Sequence, residues 1–492
     1  MMVVLQITLL IVLFFALALA MFFRKIPALI ALPLMAVTIP FICGVSLSDI
    51  LQYVIGAGSI RLHTAYTVAI FGSMLSILLQ KTGVAENFIK IGAELAGDNP
   101  WGIAVLMLVL ITLLFTTLGG LGAIIMVATV VLPIMSSIGI GPMTVVGIFL
   151  FGLSMGGILN AGNWALYVNV MNLEVAEIRP FALLMFGITF TIALIYITIQ
   201  IYRDGQNLKL KKIVIVFISL IIGIILLTFL YRQLPYNVQQ LTIGFLRKLG
   251  LIIKLSIGVF ILFMLGLNIY RIFTNTYKHQ KTICWTAYFS PLVPLFLILL
   301  FNMDFIAAFI CGLVFAFTAT FRKNHLNTLI RSIFEGGSVV MPAVVLMFGI
   351  GMLLNAIIGP GTVWSATHPE GWPVLTLLQP LMTNIIPASA WSYILLFSLA
   401  APLALYRGPL NVWGMGYGLA AVLLASGMNP AAIMGLLMAV GQIQGISDPT
   451  NTHNVWLANE MQQDVQKILW NTIPYTWIIA VLGLILSAII FY

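Results

Sequence analysis

From Val3 to Phe23 the chain runs without a charged side chain, and this is the first of about a dozen stretches apolar over the roughly 20 residues that a helix needs to cross a bilayer core of about 30 Å. Such stretches constrain the fold strongly. Hydrocarbon offers no partner to a backbone N–H or C=O, so each segment must satisfy its own hydrogen bonds, which a helix does. Charged residues make up 7% of the 492 residues, where soluble domains carry about 25%, and mean hydropathy is +1.14. These values exclude a soluble globule and point to an all-α, multi-pass protein of the cytoplasmic (inner) membrane. No basic region precedes Val3 and no small-residue cleavage site follows Phe23, so this stretch reads as a retained helix rather than a signal peptide.

The net charge of +9 does not indicate nucleic acid, because the basic residues cluster between apolar spans, as positive-inside bias requires. The clusters are Arg24-Lys25, Arg203 with Lys209, Lys211 and Lys212, Arg271 with Lys278 and Lys281, and Arg322-Lys323 with Arg331. All four are expected to be cytoplasmic. Spans at 213–231 and 250–270 separate the second from the third, and spans at 284–301 and 303–320 separate the third from the fourth. Both termini then fall outside, with about twelve full crossings. Arg322–Phe334 reads as an amphipathic arm in the headgroup region. Cys43, Cys284 and Cys311 have no metal-ligand spacing, so no cofactor is expected beyond a bound Na⁺.

The two halves repeat. At an offset of 288 (408 minus 120), Gly120 pairs with Gly408, Gly139 with Gly427, Pro142 with Pro430, Gly147 with Gly435, Gly157-Ile158 with Gly445-Ile446, and Asn163 with Asn451. Upstream, Gly56–Ser59 parallels Glu335–Ser338 and Val68–Leu75 parallels Val345–Leu353, at an offset nearer 278. The segment with Lys81 and Lys90 falls inside, while its counterpart Thr362–Trp372, with Glu370 and no Lys or Arg, falls outside. The repeats are therefore expected to be inverted, as alternating access requires. Repeat 1 covers 1–202, inter-repeat scaffold spans cover 203–283, and repeat 2 covers 284–492.

Each repeat carries two short apolar arms around a glycine-containing tip, at about 101–137 and 391–425. The arms suit re-entrant half-helices, with kinked full helices as the other reading. The first tip holds Thr116, Thr117, Gly119 and Gly120; the second holds Arg407, Gly408 and Asn411. A broken helix follows each hairpin, at about 141–177 and 430–466. The breaks are Gly157–Asn163, with Asn160 and Asn163, and Gly445–Asn454, with Ser447, Asp448, Thr450, Asn451, Thr452 and His453. Unwound backbone at membrane depth marks a site, since it survives only against protein or a cavity. Half-helix N-termini suit a carboxylate, and freed carbonyls suit Na⁺.

Asn160, Asn163, Ser447, Asp448 and Asn451 are the candidates for ion coupling, and substrate contacts are expected from both tips, Asn160, Asn163, Thr450, Asn451, Thr452 and His453. Asp448 is read either as a coupling carboxylate or as a cap for the following half-helix. For His453 the readings are a proton carrier, a substrate contact or a structural ring. Arg407 would either grip a carboxylate in bidentate fashion or snorkel at the interface.

With the tips LGGLG and RGPLN and the breaks NAGN and SDPTNTHN, the layout resembles the ion transporter superfamily of citrate, C4-dicarboxylate, gluconate and Na⁺/H⁺ antiporter-type carriers. Neither tip carries the Ser-Asn-Thr motif of the sodium-coupled dicarboxylate branch. The resemblance implies an elevator mechanism, in which a transport domain slides against a homodimeric scaffold containing spans 1–44, 213–270 and 284–320. The expected function is symport or exchange of a small organic anion driven by Na⁺ or H⁺. The alternative is a Na⁺/H⁺ antiporter using Asp448. No HExxH motif or nucleotide-binding P-loop occurs, so an enzyme or an ATP-driven pump is not expected.

Overall fold

The computed structural model describes residues 2–23, 25–95, 97, 99–206, 233, 235–275, 283–322, 325–361, 364, 368, 371–382, 387 and 389–492, and among these every regular element is a helix. The chain is an all-α polytopic membrane protein. Among the described residues eight helices are long and apolar enough to cross a bilayer, or nine if Pro142–Ile158 and Ala161–Met171 form one span bent by 47°. The span expected at 213–231 lies outside the described residues, as do Arg24, Lys209, Lys211, Lys212, Lys278, Lys281, Lys323 and Glu370.

Two helices outrun their sequence expectation. The span expected at 250–270 belongs to a 38-residue helix, Tyr236–Phe273, which starts directly after Pro235. At 1.5 Å per residue it is about 57 Å long, more than a bilayer core needs. Of the stretch Arg322–Phe334, expected as a separate arm, residues 325–334 form instead the first turns of the 34-residue helix His325–Ile358. No glycine or proline falls between His325 and Phe334 to end those turns.

The repeat appears as reciprocal contact. The helical span Leu47–Lys81, which contains a π-helical segment at Ile50–Gly56, crosses His325–Ile358 so closely that two glycines are obligatory. A Cβ on Gly58 would lie 2.7 Å from the Cα of Met352, and a Cβ on Gly336 would lie 2.7 Å from the Cα of Met74. The two contacts are mates, since 336 minus 58 and 352 minus 74 both equal 278. Because Gly58 faces Met352 while Met74 faces Gly336, the helices run antiparallel. The two-fold axis relating them is then perpendicular to both. If these helices cross the bilayer, that axis lies in the membrane plane, which is the inverted arrangement. Lipid supplies no hydrophobic drive for helix association, so small residues that let backbones approach carry the packing.

Each repeat also lends a helix to the other's long span. Ala28–Ile42 meets His325–Ile358 where Gly349 faces Leu32 and Pro33, and Phe305–Ala319 meets Leu47–Lys81 where Gly72 faces Phe309. Asn302, in left-handed conformation, ends Leu292–Phe301, and Asp304 caps Phe305–Ala319 through the amides of Ile306 and Ala307.

The two hairpins share a plan but not a tip. In the first, Asn99 caps Pro100–Phe115, and the chain turns through Thr116–Gly120 into Leu121–Ser137, with Gly120 at φ +83°. In the second, Ala390–Ala400 tightens into the 3₁₀ segment Ala401–Arg407, then the turn leads through a π-helical segment, Val412–Gly416, into Tyr417–Ala425. Tyr406 and Arg407 stand at φ +54° and +58°, a left-handed pair without a glycine. Such a tip needs contacts from elsewhere to hold it.

After each hairpin a helix opens on proline, and the next long helix packs against it. Pro142–Ile158 meets Val175–Arg203 where Gly147 lies against the Tyr196 hydroxyl, and Pro430–Ser447 meets Val465–Phe491 where Gly435 lies against Ser487. The two glycines are mates at the offset of 288, and the residues they meet lie 291 apart.

Candidate functional site

Both broken helices are rejoined by side chains of the second half-helix reaching back to carbonyls of the first. In repeat 1 Asn163 Nδ2 donates to the Gly157 carbonyl at 2.8 Å, and Trp164 Nε1 donates to Ile158 at 2.7 Å. In repeat 2 Asn451 Nδ2 donates to Gln444 at 2.6 Å, His453 Nε2 to Gly445 at 3.2 Å, and Asn454 Nδ2 to Ile446 at 2.9 Å. The carbonyls freed by unwinding are thereby satisfied within the protein, as a buried break requires.

Asn160 and Asp448 are repeat mates and do related work. Asn160 Oδ1 accepts from the Gly162 amide at 2.9 Å, while its Nδ2 donates to the Phe115 carbonyl beside the first tip at 3.1 Å. Asp448 Oδ1 accepts from the Thr450 amide at 2.9 Å, the Thr450 hydroxyl at 2.7 Å and the Tyr406 amide at 3.0 Å. Its Oδ2 accepts from Asn411 Nδ2 at 3.1 Å. Asp448 is fully buried, and among the described residues no basic side chain pairs with it. Asn160 caps the second half-helix of repeat 1, whereas Asp448 ends the first half-helix of repeat 2 and holds the turn at Thr450, and each fastens its own hairpin to its own break. The left-handed Tyr406 is held by this carboxylate.

Between the breaks lies a cavity of about 210 Å³ lined by both halves, among them Ser154, Gly157, Asn163, Tyr167, Trp413, Tyr417, Gln442, Gln444, Gly445, Asn451 and His453. Ser154 Oγ donates to Gln442 Oε1 at 2.8 Å across a sequence separation of 288. A residue touching its own mate lies beside the pseudo-two-fold axis, so this pair marks where the axis passes. A second lobe of about 290 Å³ shares Leu153, Gly157, Asn163 and Trp413 with the first and adds Thr117, Gly119, Gly120, Asn160 and the buried Ser73.

The structure thus gathers Thr117, Gly119, Gly120, Asn160, Asn163, Asn451 and His453 around one two-lobed cavity. Asn411, Asp448 and Thr450 form the clasp beside it. Five expected residues sit elsewhere, Arg407 among them. Thr116 is buried and its hydroxyl donates to the Leu113 carbonyl. Ser447 turns to Thr472 and Thr476, at 2.8 and 2.9 Å, because its place on the last helical turn aims it at Val465–Phe491. Thr452 is exposed. Gly408 shapes the tip, since a Cβ there would collide with the Leu403 carbonyl.

Arg407 lies in neither lobe. It lines a neighbouring cavity of about 530 Å³ with Met21, Ile26, Pro27, Pro342 and Trp413, and its guanidinium has no partner among the described residues. Trp413 lines all three spaces. Ser154, Gln442, Gln444, Tyr167, Trp413 and Tyr417 line the cavity without having been expected from the sequence. The offset of 288 could have found the first two, as polar mates in otherwise apolar helices. Away from the cavity, Arg61 donates to Asn355 Oδ1 at 2.6 Å, and Asn355 Nδ2 donates to the Tyr53 carbonyl at 2.8 Å.

No family model matches this chain, and no curated protein matches it in sequence. Among solved structures it is similar to the YdaH transporter of Alcanivorax borkumensis, at 12% identity over 87% of this chain and 86% of that one, with a TM-score of 0.47. It is also similar to MtrF of Neisseria gonorrhoeae, described with a class of antimetabolite efflux pumps, at 14% identity over 91% and 83% of the two chains, with a TM-score of 0.42.

Proposed function

We propose that this protein is a secondary active transporter of a small organic anion, coupled to Na⁺ or H⁺. One observation carries the reading: two broken helices, related by a pseudo-two-fold axis, enclose an amide-rich cavity inside an otherwise apolar helical body. A polar cavity on such an axis belongs equally to both halves, so mirror-related states can expose it to either side.

The site's chemistry supports an anion. The half-helices Ala161–Met171 and Thr452–Glu460 begin at the breaks and bring two positive dipole ends there. Gln444 Oε1 accepts from the Val412 amide, which leaves Gln444 Nε2 as a donor at the cavity, and Trp413 adds its indole N–H. Arg407 places a full positive charge in the adjoining space. Asn160 and Asp448 fasten hairpins to breaks, so hairpins and broken helices move as one body, as an elevator requires. The scaffold then includes 1–44, 213–270 and 284–320, in a homodimer of the inner membrane with both termini external. This layout keeps the ion transporter superfamily as the proposed relationship. The Na⁺/H⁺ antiporter reading needs Asp448 as an exchanging group, whereas both its oxygens hold the hairpin tip.

Reconstitution into liposomes tests the proposal, with mono-, di- and tricarboxylates offered under imposed Na⁺ or H⁺ gradients. Saturable, gradient-driven uptake that falls in Asn163→Ala and Asn451→Ala is expected. Uptake of every solute at the parental rate in both variants would refute the site.

A further inference from the structure

We infer that the central cavity recognises hydrogen-bond donor groups, so that the transported anion carries a hydroxyl or amino group in addition to its carboxylate. The inference rests on the cavity being the solute site and narrows what the solute is.

Asn163 and Asn451 are repeat mates that line the cavity. Side-chain amides can be flipped in a structure, yet in this pair their orientation is fixed by chemistry. Asn163 Nδ2 lies 2.8 Å from the Gly157 carbonyl and Asn451 Nδ2 lies 2.6 Å from the Gln444 carbonyl, and a carbonyl accepts but never donates. The nitrogen of each amide must therefore face the backbone. Each Oδ1 is left over, and neither accepts from any described residue. His453 follows the same logic. Its Nε2 meets the Gly445 carbonyl at 3.2 Å and so carries the proton, which leaves Nδ1 an acceptor in the neutral ring.

The break thus offers the cavity two amide oxygens and a ring nitrogen, all acceptors. A bare carboxylate cannot satisfy them, because it too only accepts. Gln444 Nε2 and the Trp413 indole are the matching donors for the carboxylate end. A solute with an anionic end and a donor end satisfies both sets. A site built to bond a substrate hydroxyl or amine disfavours the analogue that lacks it, because buried polar groups are then left unpaired.

The test uses matched probes of equal chain length: malate against succinate, and lactate or alanine against propionate. Transport in proteoliposomes and ligand-induced thermal shift in detergent are both read. The donor-bearing member of at least one pair should be preferred in kcat/KM by about 10-fold or more. In Asn163→Ala and Asn451→Ala that ratio should collapse toward unity whatever happens to absolute flux. Asn451→Gln, which keeps both an amide donor and an acceptor oxygen, should retain it should the alanine variants misfold. Equal handling of both members of every pair overturns the inference, as does a ratio unchanged in both alanine variants. A thermal-shift preference without any gradient-driven flux would uphold the inference while sinking the transport reading. Flux without preference would do the reverse.

Discussion

Removing the charge of Asp448 should release the second hairpin tip. In Asp448→Asn the amide nitrogen must replace one oxygen. If it replaces Oδ2, it faces Asn411 Nδ2, donor against donor, and the bond at 3.1 Å is lost. A hydrogen bond to a charged group contributes about 1.5–3 kcal/mol, and the bonds from Tyr406 and Thr450 fall to roughly half strength once their acceptor is neutral. Relief from burying a carboxylate offsets part of this loss. A net weakening of about 2–3 kcal/mol raises the undocked population roughly 30- to 150-fold. The assay is maleimide labelling of a single cysteine placed at Pro409, in a background lacking Cys43, Cys284 and Cys311, with a cysteine at the exposed Gly119 as reference. Labelling should accelerate by that factor at 409 and stay constant at 119. An unchanged rate at 409 would show that the tip does not depend on the carboxylate.

Three further outcomes follow from the geometry. Gly58→Val and Gly336→Val each push a side chain into the opposing backbone, so each should cost about 1–3 kcal/mol, and their detergent unfolding midpoints should drop by similar amounts. A large effect from one and none from its mate would contradict the pseudo-two-fold relation. Ser154→Ala and Gln442→Ala should be non-additive by about 0.5–1.5 kcal/mol in a double-mutant cycle read by SDS-titrated unfolding, and strict additivity would remove the axis contact. Lys81 and Glu335 pair at 2.6 Å with both side chains accessible, so Lys81→Ala should cost less than about 1 kcal/mol; a larger fall in unfolding midpoint would mean that solvent does not screen the pair as its exposure requires.

The amino-acid order alone determined that the chain is helical and embedded, because apolar length and the satisfaction of backbone bonds in hydrocarbon leave few other solutions. It also located the tips and breaks, since glycine, proline and asparagine recur at fixed separation in both halves, and that same separation holds Ser154 against Gln442. Direction was harder to read. Asn163 and Asn451 were recognisable as amides, but which of their atoms is free depends on a carbonyl six or seven residues back and on the bend between them. Ser447 and Thr452 looked as polar as their neighbours, yet helical phase turns the first toward Thr472 and Thr476 and leaves the second exposed. Arg407 has the charge expected of an anion site, and Asp448 that of a cation-coupling group. Only the folded arrangement assigns the carboxylate to clasping Tyr406 and Asn411 and sets the guanidinium in a chamber beside Trp413. The physical reason is common to all of these residues: a side chain's type fixes what it can bond, whereas the partner it meets is decided by packing between segments far apart in the chain.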